Sequence, residues 1–207
     1  MPIAVVPLTD LPAARRPEVA RVFAAAYAQD LSTISSDRAG WAVALAPAFV
    51  PGVCFVALDG GSDADVLGLA ACSHGSTRAL RLDPRALRRG LGVVRGTFAF
   101  AVMRRTFHRP LPYPETTGYV ECVATAPAAR GRGVATALME HLHGLPYDEF
   151  VLEVTDVNDG ARRLYERLGY RELRRKRSRA PWLTGYREAL YLGRSRGGET
   201  HPEISPD

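Results

Sequence analysis

The stretch that decides the fold reads Thr125-Ala126-Pro127-Ala128-Ala129-Arg130-Gly131-Arg132-Gly133-Val134-Ala135, and it lies between a strand-like and a helix-like segment. Small residues at Gly131, Gly133 and Ala135 allow a ligand to approach the backbone. The N–H groups that open the following helix have no intrahelical partner, and the positive end of the helix dipole lies behind them. The stretch therefore predicts an anion-binding loop suited to a pyrophosphate.

The spacing of this loop differs from the phosphate-binding motifs that are met most often. A nucleoside-triphosphatase loop needs G-x-x-x-x-G-K-[ST], which the segment lacks. A dinucleotide-binding G-x-G-x-x-G would place a third glycine where Thr136 stands. The spacing disfavours both classes of protein.

A second motif follows the loop, between Asn158 and Tyr170. The loop fits R-x-x-G-x-[GA] through Arg130, Gly133 and Ala135, and the later segment fits N-x-x-A-x-x-x-Y-x-x-x-G-[FY]. In this order, the two motifs resemble the acyl-coenzyme A signature of the GNAT N-acetyltransferase superfamily. The resemblance is specific from residue 118 to residue 170 and architectural elsewhere.

The resemblance implies an α/β (α+β) fold of the GNAT type. Such a fold has a mixed, mostly antiparallel central sheet that is splayed at its middle and flanked by helices. Residues from about 80 to 110 resemble the additional helices that longer bacterial members carry before the central strand. Two roles remain as alternatives for this insertion. It is either a lid over the acceptor site or a helix for packing or dimerisation.

Length and composition indicate one folded domain. A chain of 207 residues is long enough for one domain with a sizeable core and too short for two comfortable ones. Its 46% hydrophobic and 24% charged residues are ordinary for a soluble protein. We assign residues 1–194 to a single acetyltransferase domain and residues 195–207, with two glycines and two prolines, to a disordered tail.

Targeting and cysteine signals point to the cytoplasm. No apolar run reaches the length of a membrane span, and no basic segment leads into an apolar one at the N-terminus. Cys54, Cys72 and Cys122 lie in apolar, strand-like surroundings without paired spacing. This pattern argues against a disulfide framework and a zinc site, so we expect buried free thiols and no bound metal.

The hydrophobic pattern predicts helices alternating with strands. Asp10 is expected to cap a long first helix. Residues 83–107 are expected to form an arginine-rich helical region, in which Gly90, Gly92 and Gly96 interrupt an apolar stripe made of Leu87, Leu91, Val94 and Phe98. The predicted strands are 3–7, 53–58, 66–72, 118–124, 150–155, 171–177 and 187–192, with a turn at 60–63. The predicted helices are 11–29, 36–45, 83–107, 133–144 and 159–168.

The resemblance also implies where acetyl-coenzyme A binds. In the family, two central strands splay where the cofactor enters, and the backbone of the first strand pairs with the pantetheine arm. By this resemblance, the pantetheine arm would pair with the backbone of Cys122, Val123, Ala124 and Thr125. The pyrophosphate would bind the N–H groups of Arg130, Gly131, Arg132, Gly133, Val134 and Ala135, and the guanidinium groups of Arg130 and Arg132 would add positive charge. Asn158 would hydrogen-bond the arm beside Ala161, although an Asn at this place is also a common helix cap.

Tyr165 is the predicted proton donor. Acetyl transfer from a thioester to an amine requires a neutral amine, an oxyanion stabiliser and a proton for the departing thiolate. Tyr165 matches the family tyrosine that protonates the sulfur of coenzyme A, and a phenol with a pKa of about 10 suits this step. The alternative is an aromatic core residue on an amphipathic helix, beside Leu164 and Leu168.

Glu121 is the predicted general base. It lies on the central strand, where acceptor-side carboxylates of the family act directly or through a water. Burial among apolar neighbours would raise the pKa of its carboxyl group into a useful range. Strand alternation puts Glu121 on one face with Tyr119 and Val123, but a bulge would turn that face away. A substrate-binding or edge carboxylate is the alternative.

The charge suggests a second class of partner. The net charge is +5, and Lys176 is the only lysine, so arginine carries almost all of the positive charge. Arginine suits phosphates and nucleic acid. The basic run at 171–179 has no interleaved aromatic residues, however, and strand geometry divides it between two faces. His141 and His143 fall on different faces of a helix, which disfavours a metal site.

The sequence thus predicts an N-acyltransferase. It would transfer an acetyl group from acetyl-coenzyme A to a primary amine, by direct attack in a ternary complex and without a metal. Its predicted partners are acetyl-coenzyme A and an amine of unknown identity, with no nucleic acid or membrane, in a monomer or homodimer. A non-catalytic acyl-coenzyme A sensor and an arginine-rich nucleic-acid-binding protein are the alternatives. Tyr165 and Asn158 beside the loop favour the enzyme.

Overall fold

One mixed sheet organises the molecule. The computed structural model describes residues 2–60, 64–179 and 181–197. The strands are β1 (Ile3–Pro7), β2 (Cys54–Asp59), β3 (Val66–Ser73), β4 (Thr117–Thr125), β5 (Glu149–Thr155), β6 (Arg171–Arg177) and β7 (Glu188–Ser195). They are ordered β1-β2-β3-β4-β5-β7-β6, and every neighbouring pair is antiparallel except β4 with β5. The predicted mixed, mostly antiparallel sheet is confirmed.

The centre of this sheet is splayed. β4 and β5 pair only through Thr117–Val120 and Glu149–Leu152. Beyond these residues β4 continues beside β3 to Thr125, while β5 continues beside β7 to Thr155. The two parallel strands therefore diverge and leave a gap between their C-terminal halves, as the sequence predicts.

Helices cover both faces of the sheet. Trp41, Leu45 and Leu87 belong to a buried cluster on one face, and Leu138 and Phe150 belong to a cluster on the other. The helices are α1 (Arg16–Ala26), α2 (Ala28–Ser32), α3 (Arg38–Leu45), α4 (Pro84–Leu91), α5 (Val93–Phe107), α6 (Val134–His143), α7 (Asp159–Arg167) and α8 (Pro181–Thr184).

The first helix differs from its prediction. Asp10 lies in a short 3₁₀ turn, Leu8–Asp10, and does not cap α1, which begins only at Arg16. Pro17 lies in the first turn of α1, where a missing N–H costs no hydrogen bond. The helical segment is then divided at Tyr27, where α1 ends and α2 begins.

The predicted insertion forms two helices. The chain breaks at Gly92, one of the three glycines expected to interrupt this region, between α4 and α5. Leu87 and Leu91 are buried, but Val94 and Phe98 are 82% and 57% exposed. The buried apolar stripe therefore ends at Leu91, because the break reorients α5 and turns Val94 and Phe98 toward solvent.

Helix α4 packs closely against α3. A Cβ atom on Gly90 would lie 2.9 Å from Cβ of Ala44 and still closer to the carbonyl oxygen of Gly40. Only glycine allows the two helices to approach this closely. The first helix of the insertion therefore has a packing role.

Strand β7 reaches into the segment predicted as a tail, since Ser195 pairs with Glu149. Residues 198–207 of that tail lie outside the described residues, as do residues 61–63 of the predicted turn. Cys54, Cys72 and Cys122 are buried and free, as predicted. Burial raises the pKa of the Cys54 and Cys72 thiols to about 12, which keeps them protonated and unreactive.

Candidate active site

The loop between β4 and α6 is shaped by two glycines. Gly131 and Gly133 have φ angles of 76° and 83°, in the left-handed region that other residues avoid. A Cβ atom at either position would meet no other atom within 4 Å. The backbone here faces open space, so a ligand can approach it directly.

The amides of this loop are available to a ligand. Within the described part of the chain, the N–H groups of Gly131, Gly133, Val134, Ala135 and Thr136 make no hydrogen bond. The first bond of α6 runs from Ala137 N to Gly133 O, at 2.9 Å. Unpaired N–H groups at the start of a helix form a natural anion site, so the loop fits a pyrophosphate.

A cavity of about 630 Å³ connects this loop with α7. The residues of the predicted cofactor site that line it are Val123, Thr125, Arg130, Gly131, Gly133, Val134, Ala135, Asn158 and Ala161. Tyr165 lines the same cavity. Cys122, Ala124 and Arg132 are absent from this wall. The two sequence motifs thus meet on one cavity.

The register of β4 decides which of its backbone groups face the gap. Ala126 N donates to Leu67 O, at 2.8 Å, and hydrogen-bonded pairs alternate along an antiparallel ladder. Val123 and Thr125 therefore direct their N–H and C=O groups away from β3, into the gap beside β5. Cys122 and Ala124 direct theirs toward β3, so two of the four predicted residues have no free backbone group to offer.

Tyr27 contacts this strand, which the sequence motifs do not reveal. Its hydroxyl oxygen accepts a hydrogen bond from Val123 N, at 3.2 Å. Burial, followed by the nearby Cys122 thiol, raises the pKa of Tyr27 well above its ordinary value. The phenol therefore keeps its proton and can donate it within the site. Aromatic spacing on α1 places Tyr27 on an apolar face, but no sequence signal relates it to β4.

The two arginines of the loop have different surroundings. Arg130 lines the cavity and has no ion-pair partner among the described residues. The Arg132 guanidinium forms two hydrogen bonds with Asp59, at 2.9 and 3.0 Å, and its amide donates to Ala129 O at 3.4 Å. The part of Arg132 in cofactor binding stays a prediction.

Helix α7 presents Asn158 and Tyr165 to the cavity. The Asn158 side chain accepts from Ala161 N at 3.2 Å, so it caps the helix, and its NH₂ group can still donate to a ligand. Tyr165 is buried, and burial together with the Cys122 thiol raises its pKa to about 12. Its hydroxyl makes no hydrogen bond within the described residues, so a protonated phenol is available on the cavity wall.

Glu121 occupies a bulge of β4. Cys122 pairs with Ala71 and Val120 with Cys72, so no residue of β3 is left to pair with Glu121. Oε1 accepts from Nη2 of Arg78, at 2.6 Å, and the two side chains are 10% (Arg78) and 4% (Glu121) exposed.

The other carboxylate oxygen of Glu121 is also occupied. Oε2 accepts from Ala79 N at 2.9 Å, from Arg78 Nε at 3.3 Å and from the Ser73 hydroxyl. Three donors saturate this oxygen, while Oε1 keeps one lone pair. The general-base role of Glu121 stays a prediction. Arg78, its ion-pair partner, lies far away in sequence and carries no motif that would identify it.

A second cavity, of about 260 Å³, lies beside β4 on the side of α1 and α5. Tyr27 and Asp30 line it, together with Glu121 and Cys122. Cys122 lines this cavity and the next residue, Val123, lines the cavity of the loop, so β4 contributes to the wall of each. Asp30 is a carboxylate that the sequence analysis missed.

The residues that the structure describes contain no group of three or more His, Cys, Asp or Glu side chains that could hold a metal ion. None of their helices is both long enough and apolar enough to cross a bilayer.

The splayed sheet and the loop with unpaired amides agree with the fold that the sequence resemblance implies. A model of the Acetyltransferase (GNAT) family matches residues 27–170, which is more than half of the chain. The chain therefore belongs to the GNAT acetyltransferase family and is an acetyltransferase. The family and the fold predicted from the sequence are confirmed.

Solved structures share this fold. Histone acetyltransferase HPA2 and related acetyltransferase from Corynebacterium glutamicum has a TM-score of 0.62 and 24% identity, with 99% of this chain and 100% of that chain covered. A GCN5-related N-acetyltransferase from Kribbella flavida has a TM-score of 0.58 and 19% identity, with 93% and 97% covered.

The ribosomal-protein-S18-alanine N-acetyltransferase of Escherichia coli has a TM-score of 0.54 and 14% identity, with 99% of both chains covered. Likeness at such identities shows the fold alone. No curated protein matches the sequence.

Proposed function

We propose that this enzyme transfers an acetyl group from acetyl-coenzyme A to a primary amine, by direct attack of the amine in a ternary complex. Enzymes of the family use acetyl-coenzyme A and an acceptor substrate. One observation carries the proposal for this chain. The unpaired amides at 131 and 133–136 lie on the same cavity as the unbonded hydroxyl of Tyr165.

The cofactor site follows from those free groups. The loop amides, with the charge of Arg130, would hold the pyrophosphate of acetyl-coenzyme A. The gap-facing C=O of Val123 and the N–H and C=O of Thr125 would pair with the pantetheine arm, and the Asn158 amide would donate to it. Ala161 leaves room on the opposite wall. Bound in this way, acetyl-coenzyme A supplies an activated thioester.

The acid of the reaction is Tyr165. As the amine nitrogen bonds to the acyl carbon, the carbon–sulfur bond breaks and the sulfur gains an electron pair. Tyr165 is protonated at neutral pH because its pKa is raised to about 12. Its hydroxyl would give a proton to the sulfur, which completes the thiol of coenzyme A. The phenolate would then regain a proton from solvent.

The base of the reaction is one of two carboxylates. The attacking nitrogen must lose a proton overall, and the acceptor side of β4 offers Glu121 and Asp30. Glu121 has one lone pair left on Oε1 and a charge already offset by Arg78. Asp30 has no ion-pair partner among the described residues and lines the same cavity. Comparing Glu121→Gln with Asp30→Asn separates their roles.

Ligand-dependent thermal unfolding tests the cofactor assignment. A ligand that binds only the native state stabilises it by about 2.7 kcal/mol at 100 times its Kd. We expect millimolar acetyl-coenzyme A to raise the Tm, whereas ATP and NAD should leave it unchanged. No rise with acetyl-coenzyme A would contradict the proposal.

Turnover separates an enzyme from a sensor. We expect Tyr165→Phe to lower kcat by roughly 100-fold or more, the usual contribution of a positioned acid. The affinity for acetyl-coenzyme A should stay within a few-fold. Release of free thiol measures the rate, and calorimetry measures the affinity. Equal rates in both proteins would remove Tyr165 from the mechanism.

The remaining sequence predictions stand as proposals. They are a cytoplasmic location, a monomer or homodimer, and a single domain over residues 1–194.

A further inference from the structure

The cavity on the acceptor side of β4 has an apolar wall. Most of its lining side chains are hydrocarbon or aromatic, contributed by α1, α2 and α5, among them Phe23, Leu31, Ile34, Met103 and Phe107. Its volume is about 260 Å³, just below the range of about 300–1,000 Å³ that is usual for drug-sized ligands. An occupant of this cavity is small and buries hydrocarbon.

The charged side chains that line this cavity are negative. Asp30 and Glu121 are its only charged lining residues within the described chain, and no arginine, lysine or histidine lines it. Arg78 offsets the charge of Glu121 from outside the cavity. Asp30 is exposed at the edge of the cavity and has no such partner among the described residues, and desolvation raises the pKa of its carboxyl group. A single uncompensated carboxylate beside apolar walls favours one positive charge on an apolar body.

Resting on the proposed function, we propose that the acceptor is a small primary amine with an aryl or branched alkyl body, whose ammonium group is received by Asp30. The hydrocarbon body packs against α5, and the nitrogen lies toward β4, where Cys122 of this cavity adjoins Val123 of the cofactor cavity. The ammonium group first gives a proton to Asp30 or Glu121, and the neutral nitrogen then attacks the acyl carbon. As the carbon–sulfur bond breaks, the nitrogen loses its second proton toward solvent and Tyr165 protonates the sulfur.

The same wall disfavours other acceptor classes. A polyamine or aminoglycoside would bring several ammonium groups to a cavity with one uncompensated carboxylate. A free amino acid would bring its carboxylate next to Asp30 with no cation to receive it. Each would bury a charge without a partner, which is costly in an apolar environment.

A panel of amines tests this substrate class. The full-length protein is assayed with acetyl-coenzyme A by thiol release, using 2-phenylethylamine and isoamylamine against ethanolamine, spermidine and L-phenylalanine. We expect kcat/KM for 2-phenylethylamine to exceed that for each of the last three by at least 100-fold. A preference for spermidine, ethanolamine or the amino acid overturns the proposal.

Two variants test the wall and the charge. Val102 lines the cavity and is 44% exposed, so Val102→Asp is tolerated at the mouth without burying a charge in the core. We expect it, and Asp30→Asn, to lower kcat/KM for 2-phenylethylamine at least ten-fold, mainly through KM. Glu140→Gln removes an exposed carboxylate on α6 and serves as the matched control, with no change expected. Unchanged KM in both test variants contradicts the assignment.

The outcomes separate this proposal from the function on which it rests. If acetyl-coenzyme A stabilises the protein and a polyamine is acetylated, the acyltransferase function holds and the apolar acceptor is wrong. If acetyl-coenzyme A neither binds nor turns over, the proposed function itself fails. If acetyl-coenzyme A binds and no amine is turned over, calorimetry with 2-phenylethylamine decides, because absence of binding to the coenzyme A complex overturns the apolar acceptor.

Discussion

Gly133 combines two properties that a larger residue would lose. Its φ angle of 83° strains any side chain, and the place of a Cβ atom is open space beside unpaired amides. We expect Gly133→Glu to abolish acetyl-coenzyme A binding, because it blocks the loop and places a carboxylate against the phosphates. The readout is loss of the ligand-induced rise in Tm.

The control for this change is Gly133→Ala. It adds the backbone strain alone, about 1 kcal/mol, and keeps the loop uncharged. We expect it to be less stable than wild type but still to bind acetyl-coenzyme A. Retained affinity in Gly133→Glu would refute the pyrophosphate site.

Glu121 and Arg78 form a buried ion pair, in which each side chain neutralises the charge of the other. Removing one partner of such a pair commonly costs about 3–5 kcal/mol, because the other charge is left buried. We expect Glu121→Gln to lose about 3 kcal/mol of unfolding free energy in urea, whatever its effect on turnover. The double variant Arg78→Met with Glu121→Leu should recover much of the loss. A Glu121→Gln protein as stable as wild type would show that the pair contributes little.

Individual residues were predictable where local backbone chemistry sets their role. Gly131 and Gly133 follow from the backbone chemistry of the loop, whereas Tyr165 was identified by its resemblance to the second family motif, and the structure puts the three on one cavity. Arg78, Tyr27 and Asp30 were missed because each reaches the site through a tertiary contact. For Arg78 that contact crosses from a loop after β3 to the bulge of β4, and no periodic pattern encodes it.

At the scale of elements, the contact between α3 and α4 fixes the predicted insertion. We expect Gly90→Ala to destabilise the protein by about 1–3 kcal/mol, because the added methyl group overlaps the backbone of α3. Urea unfolding measures this. Gly160→Ala, whose methyl group would meet no atom within 4 Å, is the matched control. A stabilising Gly90→Ala would mean that the two helices separate at little cost.

The elements that hydrophobic period and turn chemistry define were predicted well. Strands β1 to β7 lie within a few residues of their predictions, and Asp37 caps α3 through Gly40 N at 2.8 Å. The sequence predicted an interruption at Gly92, but a glycine within a helical pattern does not reveal the direction of the chain beyond it. The exposed face of α5 follows from that direction alone.

At the scale of the whole molecule, stability should depend on pH through His143. Its Nε2 lies 3.0 Å from the Tyr170 hydroxyl, and burial, followed by the charge of Arg194, lowers the pKa of His143 to about 4. An unfolded histidine has a pKa of about 6.5, so between these values the unfolded state binds more protons. Stability is therefore complete above about pH 6.5 and falls as the pH drops toward 4.

The size of this effect is modest. The shift corresponds to about 3 kcal/mol at most, and solvent near the half-buried ring reduces it to about 1–2 kcal/mol. We expect urea unfolding between pH 7 and pH 4 to show this loss, and His143→Phe to show a shallower slope. Identical slopes would mean that the ring titrates alike in both states.

The arginine-rich strand β6 is partly neutralised within the fold. Arg175 pairs with Glu172 at 2.5 Å and with Glu188 at 3.3 Å. Arg174 stacks over the ring of Tyr191, with its guanidinium carbon 4.0 Å from the centroid. The basic run therefore presents less free charge than its sequence suggests, which weakens the argument for a nucleic-acid partner.

Because of the splay, the amides of β4 should exchange their hydrogens at two different rates. The N–H groups of Cys122 and Ala124 lie in the ladder with β3, whereas those of Val123 and Thr125 face the gap. Alternate residues of a single strand should therefore exchange their protons at different rates, with only Tyr27 holding the Val123 amide. Slower exchange of the Thr125 amide with acetyl-coenzyme A present, and unchanged exchange of Cys122 and Ala124, would show that the ligand pairs with the side of β4 that faces the gap.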